Sequence, residues 1–221
     1  MPTVTEIIRD IQEELPDGSV SVTRLLALIN EGAREIALGQ FPHFNVPEIC
    51  LPSLHATGEV TTTGVASSAS LASLDRPFCK KLVSASINGS PLIPKATPTQ
   101  IERWFPGLEA TGQPHMVCVA GGSLVYAPKG EATVTISYFA YPDDMGLTST
   151  PDFLPSELQM KLLKNYCLSN LPTKYIRDIA YNPYEMYGQA IGQLFQVHGP
   201  YAPKPAFMIN ETMMYLESAA T

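Results

Sequence analysis

Residues 21–39, with the sequence SVTRLLALINEGAREIALG, decide the fold of this chain. Apolar residues recur here every three or four positions, which is the spacing that lines one side of an α-helix. Charged side chains such as Arg24, Glu31 and Arg34 fall mostly away from that side. The segment therefore predicts an amphipathic helix. Its apolar positions are Val22, Leu25, Leu26, Ile29, Ala33, Ile36 and Ala37.

Two more segments have a helical pattern. Residues 3–14 carry Ile7, Ile8 and Ile11 on one side, and the run Pro16-Asp17-Gly18 favours an end to that helix. Near residue 155, either Pro155 lies in the first turn of a helix or Ser156 and Gln159 form a capping box. The apolar positions of this later helix are Leu158, Leu162, Leu163 and Tyr166, and Pro172 ends it.

The last predicted helix starts at Asn182-Pro183, with Glu185 in its first turn, and Gly199-Pro200 ends it. Its apolar positions are Met186, Ala190, Ile191, Leu194 and Phe195. Gly188 and Gly192 form a GxxxG pair, which predicts close packing of this helix against another.

The middle of the chain has β-type patterns. Residues 82–93 predict a hairpin, because Asn88-Gly89 suits a tight turn. Residues 116–141 form three runs punctuated by glycines, and we expect a meander in a small sheet or sandwich. The Thr- and Ser-rich residues 59–73 predict either short edge strands or a mobile loop. Between these segments, residues 97–105 predict one short helix.

This order of elements predicts an α+β fold. N-terminal and C-terminal helices form a helical bundle, with an inserted antiparallel β subdomain and an extended C-terminal arm. We expect the N-terminal helices in residues 1–42, the β-rich insert in 43–150, the C-terminal helices in 151–199 and the arm in 200–221.

Composition limits the function classes. The net charge of −7 and the scattered basic residues argue against a broad surface that grips nucleic acid. Charged residues make up only 16% of the chain, below the roughly 25% of a typical soluble protein. No run approaches the roughly 20 apolar residues of a membrane span, and residues 1–14 do not resemble a signal peptide. We expect a soluble protein made in a cytoplasm, with no membrane partner.

The cysteines Cys50, Cys79, Cys118 and Cys167 lie far apart and are expected to be free, buried thiols. His115 and Cys118 are the nearest approach to a metal pair, but three residues apart in a strand means opposite faces. Cys79 lies among cations that can activate a thiol, although an ordinary cysteine in a basic turn is the preferred interpretation.

Asp143 and Asp144 follow a predicted strand and could hold a divalent ion, but a solvated turn is the preferred interpretation. The sequence has no phosphate-binding loop, no dinucleotide fingerprint and no nucleophile elbow. We therefore expect no enzyme activity, no catalytic residues, no metal site and no cofactor.

Residues 201–221 are apolar yet have no globular pattern of their own. Such a segment must lie on something, either its own domain or an adjacent subunit, and we prefer the subunit. The predicted contact residues are Tyr201, Phe207, Met208, Ile209, Met213, Met214, Tyr215 and Leu216.

Several phrases of the sequence resemble one known family. Residues 25–37, LLALINEGAREIA, are similar to the opening helix of head-to-tail adaptor (connector) proteins of tailed bacteriophages. Residues 124–128, LVYAP, and 135–138, TISY, followed by Pro142, resemble that family's strand pair. Residues 153–158, FLPSEL, resemble the segment with which the chain of these proteins returns to the helical bundle.

The resemblance covers residues 21–171 in the right order. It implies a ring, expected to be twelvefold like the portal protein beneath which it docks, at the head-tail junction of a virion. It also implies contact with tail or nozzle proteins, and a bore in which DNA touches the protein transiently and without specificity.

Two other functions are open. One is a neck or tail protein of another layer, such as a tail-completion or tubular protein. The other is a β-sandwich carbohydrate-binding module or small hydrolase, with Trp104, Tyr126 or Tyr138 as a platform. We expect Trp104 instead to anchor the short helix in the core.

Overall fold

The computed structural model describes residues 1–16, 20–41, 44–45, 50–92, 96–177 and 179–198. These residues combine helices with antiparallel sheets, which confirms the α+β class. They divide into two units. The helical unit contains the described residues of Met1–Pro52 and those from Asp144 onward, and the β unit is Ser53–Asp143.

The described helices and strands are, in chain order, α1 (Val4–Glu13), α2 (Val22–Leu38), β1 (Gln40–Phe41), β2 (Phe44–Asn45), β3 (His55–Thr62), β4 (Ser68–Ser70), β5 (Phe78–Ile87), β6 (Ser90–Pro91), α3 (Pro98–Trp104), β7 (Met116–Ala120), β8 (Ser123–Ala127), β9 (Ala132–Ala140), α4 (Gln159–Ser169), α5 (Thr173–Ile176) and α6 (Pro183–His198). Short 3-10 turns cover Pro52–Leu54, Leu71–Ser73 and Pro106–Leu108.

The first two helices begin where the sequence supplies a cap. The Thr3 hydroxyl accepts the Glu6 backbone N–H, and the Glu6 carboxylate accepts the Thr3 N–H at 2.8 Å, so α1 opens with a capping box. Ser21 caps α2, and Gly39 ends it in the left-handed region at φ 63°.

Helix α4 contacts α1, α2 and α6, and apolar side chains fill the contacts. Fully buried examples are Ile7, Ile11, Leu25, Leu28, Ile29, Ile36, Leu162, Leu163, Leu168 and Leu194. Helices α2 and α4 pack tightly at Gly32 of α2, where an added Cβ would lie 2.5 Å from Cδ1 of Tyr166 on α4. Glycine is therefore required at this crossing, because any side chain would overlap the tyrosine ring.

Three details of the helix predictions are wrong. Helix α4 begins at Gln159 rather than near Pro155, and the Gln159 side chain is buried, donating to the carbonyls of Pro151 and Leu154 instead of capping. Val22 is 41% exposed, because it lies in the first turn of α2. Met186 is 38% exposed, and Tyr187 takes its place in the core.

The β unit contains two antiparallel sheets. One has the strand order β3-β9-β5-β6 and the other β4-β8-β7. Side chains from both sheets share one apolar core: Val60, Leu71, Leu74, Leu82, Ala85, Ile87, Leu92, Val117, Leu124, Tyr126, Val134, Ile136, Tyr138 and Ala140. The predicted meander is wrong in one respect, because β9 leaves β8 and lies between β3 and β5 in the other sheet.

The local β predictions are confirmed. Asn88 and Gly89 form the turn of the β5–β6 hairpin with φ of 48° and 79°. Within residues 59–73 the chain completes β3 and forms β4, which are both edge strands rather than a loop. Helix α3 starts with a Thr97–Gln100 capping box and packs with β7 and β8 around a second apolar cluster. That cluster contains Ala96, Ile101, Met116, Cys118 and Ala127.

Candidate functional site

His115 and Cys118 lie in different surroundings. His115 is exposed just before β7, and its ring lies edge-on to Phe105 with the ring centroids 5.4 Å apart. Cys118 is buried under α3, and burial raises the pKa of its thiol. Among the described residues, no group of three or more His, Cys, Asp and Glu side chains could hold a metal ion.

Cys79 lies in an environment that disfavours a thiolate. Burial raises its thiol pKa, and this effect exceeds the lowering by the Lys80 charge and by a hydrogen bond with Tyr141. The Lys80 ammonium lies 5.0 Å from the Phe139 ring centroid. None of the four cysteines forms a disulfide, and all except the half-buried Cys79 are buried.

The adjacent carboxylates of Asp143 and Asp144 pair with different arginines. Asp144 Oδ1 lies 2.7 Å from Arg34 Nη2 in the helical unit. Asp143 Oδ1 lies 3.8 Å from Arg76 Nε in the β unit. Both carboxylates are mostly exposed, so the two ion pairs are weak individually. The exposure of Asp143 and Asp144 agrees with the preferred interpretation of a solvated turn. The sequence did not predict that the two carboxylates pair with arginines.

In each unit, one polar side chain forms hydrogen bonds to the backbone near the point where the chain passes to the other unit. In the β unit, Arg76 donates to the backbone carbonyls of Ser53, at 3.1 Å, and Tyr141, at 3.3 Å, so it ties the first and last segments of that unit together. In the helical unit, the Asn30 amide of α2 donates to the Met145 carbonyl and accepts the Met145 N–H. The helical periodicity does not predict the contact of Asn30 with Met145, because it identifies only apolar positions.

A network of charges and hydroxyls joins segments of the helical unit that are far apart in sequence. Lys164 of α4 lies 2.5 Å from an Asp10 carboxylate oxygen and 2.6 Å from one of Glu14. The Tyr181 hydroxyl donates to the other Glu14 oxygen at 2.6 Å. Burial lowers the pKa of Lys164, but the hydrogen bonds and charges of the two carboxylates outweigh it, and the net pKa is raised.

A second polar cluster lies where α2, α4 and α6 meet. The Tyr166 and Tyr187 rings are edge-to-face with centroids 5.5 Å apart. Burial raises the pKa of both phenols, and the negative charge of Glu35 raises it further. Burial also raises the pKa of Cys167 to about 12. Burial therefore favours the protonated form of Tyr166, Tyr187 and Cys167.

The aromatic platform predicted for a sugar site is not assembled. Tyr126 and Tyr138 are fully buried, and their hydroxyls bond to the backbones of Thr63 and Arg76. Trp104 is 73% exposed, so its prediction as a core anchor is wrong. Helix α3 buries Ile101, and Phe105, the residue that caps its end, is partly buried against the same cluster. Trp104 lies in the last turn of the helix and points to solvent.

Close packing at the GxxxG pair is also absent within the described part of the chain. A Cβ added at Gly188 or Gly192 would meet no atom within 4 Å. The exposed side of α6 is nearly uncharged, with Tyr184 and Met186 both exposed. The predicted contact residues of the arm, Tyr201, Phe207, Met208, Ile209, Met213, Met214, Tyr215 and Leu216, lie outside the described residues.

Within the described residues, no helix has the length and hydropathy needed to cross a membrane. A model of the SU10 adaptor protein family matches residues 2–205. The match includes both units and the connections that Arg76 and Asn30 clamp. No curated protein matches the chain significantly.

Proposed function

Because the chain belongs to the SU10 adaptor protein family, we propose that it is a structural head-to-tail adaptor of a tailed phage. Copies of it form a ring, twelvefold like the portal, that joins the portal protein to the tail or nozzle proteins. The protein acts without catalysis at the head-tail junction of the virion, after synthesis in the host cytoplasm. The family match over both units is the observation that carries this proposal.

The way the helical unit is held together supports a mechanical role. Lys164 links α4 to the two carboxylates at the end of α1, and Tyr181 adds the segment before α6. Thr5 and Asn30 fix the returning chain by hydrogen bonds to Leu147 and Met145. A bundle in which α1 is bonded to α4 and to the segment before α6 resists local opening, which a connector under load requires.

The net charge of −7 suits a bore through which DNA must pass. Clustered basic residues would bind phosphates and slow the DNA, whereas an acidic lining repels them. We expect transient, non-specific contact with DNA and little retention at physiological salt.

The arm gives each subunit a way to reach outside its own fold. A ring closes by rotation only if every subunit has two different complementary surfaces. We propose that the residues after Gly199 supply one of these surfaces and contact a neighbouring subunit or the portal.

Native mass spectrometry of the purified protein tests the proposal, alone and mixed with a candidate portal. We expect a ring, or a ring bound to the portal, from the full chain. A chain ending at Gly199 tests the arm, and we expect it to stay folded but to lose assembly. A full-length monomer that does not bind the portal would sink the adaptor proposal, and ligand screening of the β unit would then follow.

A further inference from the structure

Within the described part of the chain, strand β3 has one long edge that pairs with no other strand, called here the free edge. It is an outer strand of its sheet, and its eight residues pair one to one with β9 along one side. Along the other side, no backbone hydrogen bond from β3 to the described residues is found. Because N–H groups alternate in direction along a strand, about four of them point away from β9 toward that side.

The other outer strands of the two sheets are shorter than β3, and one of them contains a proline. β6 has two residues and includes Pro91, which cannot donate a hydrogen bond. β4 has three residues, and β7 has five. The sequence of β3, HATGEVTT, has neither proline nor lysine, the residues that commonly block strand addition.

The inner side of β3 carries two small residues that stay partly exposed at this edge. Ala56 and Gly58 point toward the core and are only half-buried. A Cβ at Gly58 would lie 2.6 Å from Leu74 Cδ2, because the Leu74 side chain occupies the space over this glycine. A strand added beside β3 would cover Ala56 and Gly58 with its own side chains.

We propose that the free edge of β3 accepts an extended strand from residues 205–210 of a second copy of the chain. Pro203 and Pro205 favour extended backbone before this segment, and Phe207 and Ile209 then alternate with Met208. Residues 201–210 carry one charge, that of Lys204, opposite in sign to Glu59 of β3. The segment spans about 20 Å when extended, which fits within an eight-residue edge.

This inference rests on the proposed ring and names its subunit contact. The donor strand and the acceptor edge are different surfaces of one chain, so head-to-tail repetition can close a ring. Backbone hydrogen bonds supply the affinity in such strand addition, and alternate side chains supply the specificity.

Hydrogen exchange of the β3 amides in the assembled full chain and in the chain ending at Gly199 tests the contact. In the truncated chain, about half of the eight amides should exchange quickly, since they face solvent. In the assembly they should become protected, and Ile209→Pro should abolish that protection. Ala219→Pro, beyond the proposed strand, is the control and should leave it unchanged.

Disulfide trapping then decides which copy donates the strand. Thr57→Cys and a donor cysteine, Met208→Cys or Ile209→Cys, are made as separate proteins in a Cys79→Ser background and mixed. The proposal predicts a cross-linked dimer of the two separately made chains, with one of the two donor positions favoured.

A cross-link only when both cysteines are in one chain would overturn the proposal, because the arm would then fold back on its own β3. An assembly that forms while the β3 amides still exchange quickly would overturn it as well, yet leave the adaptor function standing. If the full chain forms no assembly at all, both the β3 contact and the proposed adaptor ring are wrong.

Discussion

The helical unit and the β unit use their polar side chains differently. In the helical unit, Lys164, Asn30 and Arg34 bond segments more than 100 residues apart in sequence. In the β unit the shared core is apolar, and the polar clamps, Arg76 and Tyr126, bond to backbone. The β unit also carries an exposed tryptophan and the free β3 edge. Long-range polar bonds therefore hold the helical unit together, whereas the β unit depends on a shared apolar core.

Gly32→Ala should have the largest effect on stability. The new Cβ would overlap the Tyr166 ring near its base, so helix α2 or α4 must shift. We expect a loss of about 2 to 3 kcal/mol in the free energy of unfolding, typical of overpacking a core. Urea unfolding followed by circular dichroism measures it.

Gly188→Ala is the matched control, because it makes the same change in α6 where nothing lies within 4 Å. Alanine is the better helix former, so we expect stabilisation by up to about 1 kcal/mol. Equal losses in the free energy of unfolding for the two variants would show that close packing at the α2–α4 crossing does not cause the effect of Gly32→Ala.

Lys164→Met should destabilise the helical unit next most strongly. The change leaves the carboxylates of Asp10 and Glu14 facing each other without a cation, and we expect a loss of about 1 to 3 kcal/mol at neutral pH. Thermal unfolding measures it. An unchanged melting temperature would mean that the network is only a surface ion pair.

The same lysine predicts a pH dependence. Its folded pKa lies above the ordinary 10.5, so its contribution is complete below pH 10.5 and is lost as pH rises through the folded value. The difference in melting temperature between the wild type and Lys164→Met should therefore shrink above pH 10.5. A difference that is constant from pH 8 to 12 would contradict this assignment.

Tyr126→Phe tests the polar clamp of the β unit. The buried hydroxyl accepts the Thr63 N–H at 2.8 Å and donates to the Thr63 carbonyl at 3.1 Å. Its removal leaves both backbone groups without that partner, and we expect a loss of about 1 to 2 kcal/mol. Exchange of the Thr63 amide should accelerate as well; an amide as slow as in the wild type would show that the hydroxyl is dispensable.

Trp104→Ala should have the smallest effect on stability, within about 0.5 kcal/mol, because the side chain is 73% exposed. As the single tryptophan of the chain, it also reports its own environment by fluorescence. We expect the emission of solvent-exposed indole from the free protein. A destabilisation as large as that of Ile101→Ala would restore the role as a core anchor.

The sequence predicts those parts of the fold that are determined by residues close together in the chain. The periodicity around Leu25 and Ile29 and the turn at Asn88-Gly89 depend only on neighbouring residues. The position of β9 between β3 and β5 depends on partners far away in sequence, so three adjacent β runs were read as a meander.

The glycines and the tryptophan show the same limit at single residues. The GxxxG pattern pointed to Gly188 and Gly192, whereas the isolated Gly32 makes the close crossing because Tyr166 lies opposite it. Trp104 is predicted to anchor α3 in the core, but Ile101 is the buried residue of this short helix and Trp104 is exposed. The close crossing at Gly32 and the exposure of Trp104 both depend on residues that are distant in sequence, so local sequence patterns do not predict them.

The most direct test of the adaptor function is electron microscopy of particles assembled by the phage without this chain. The account predicts DNA-packed or leaking heads that carry a portal but no attached tail, and rescue when the full chain is supplied. Normal numbers of tailed, infectious particles without the chain would contradict it.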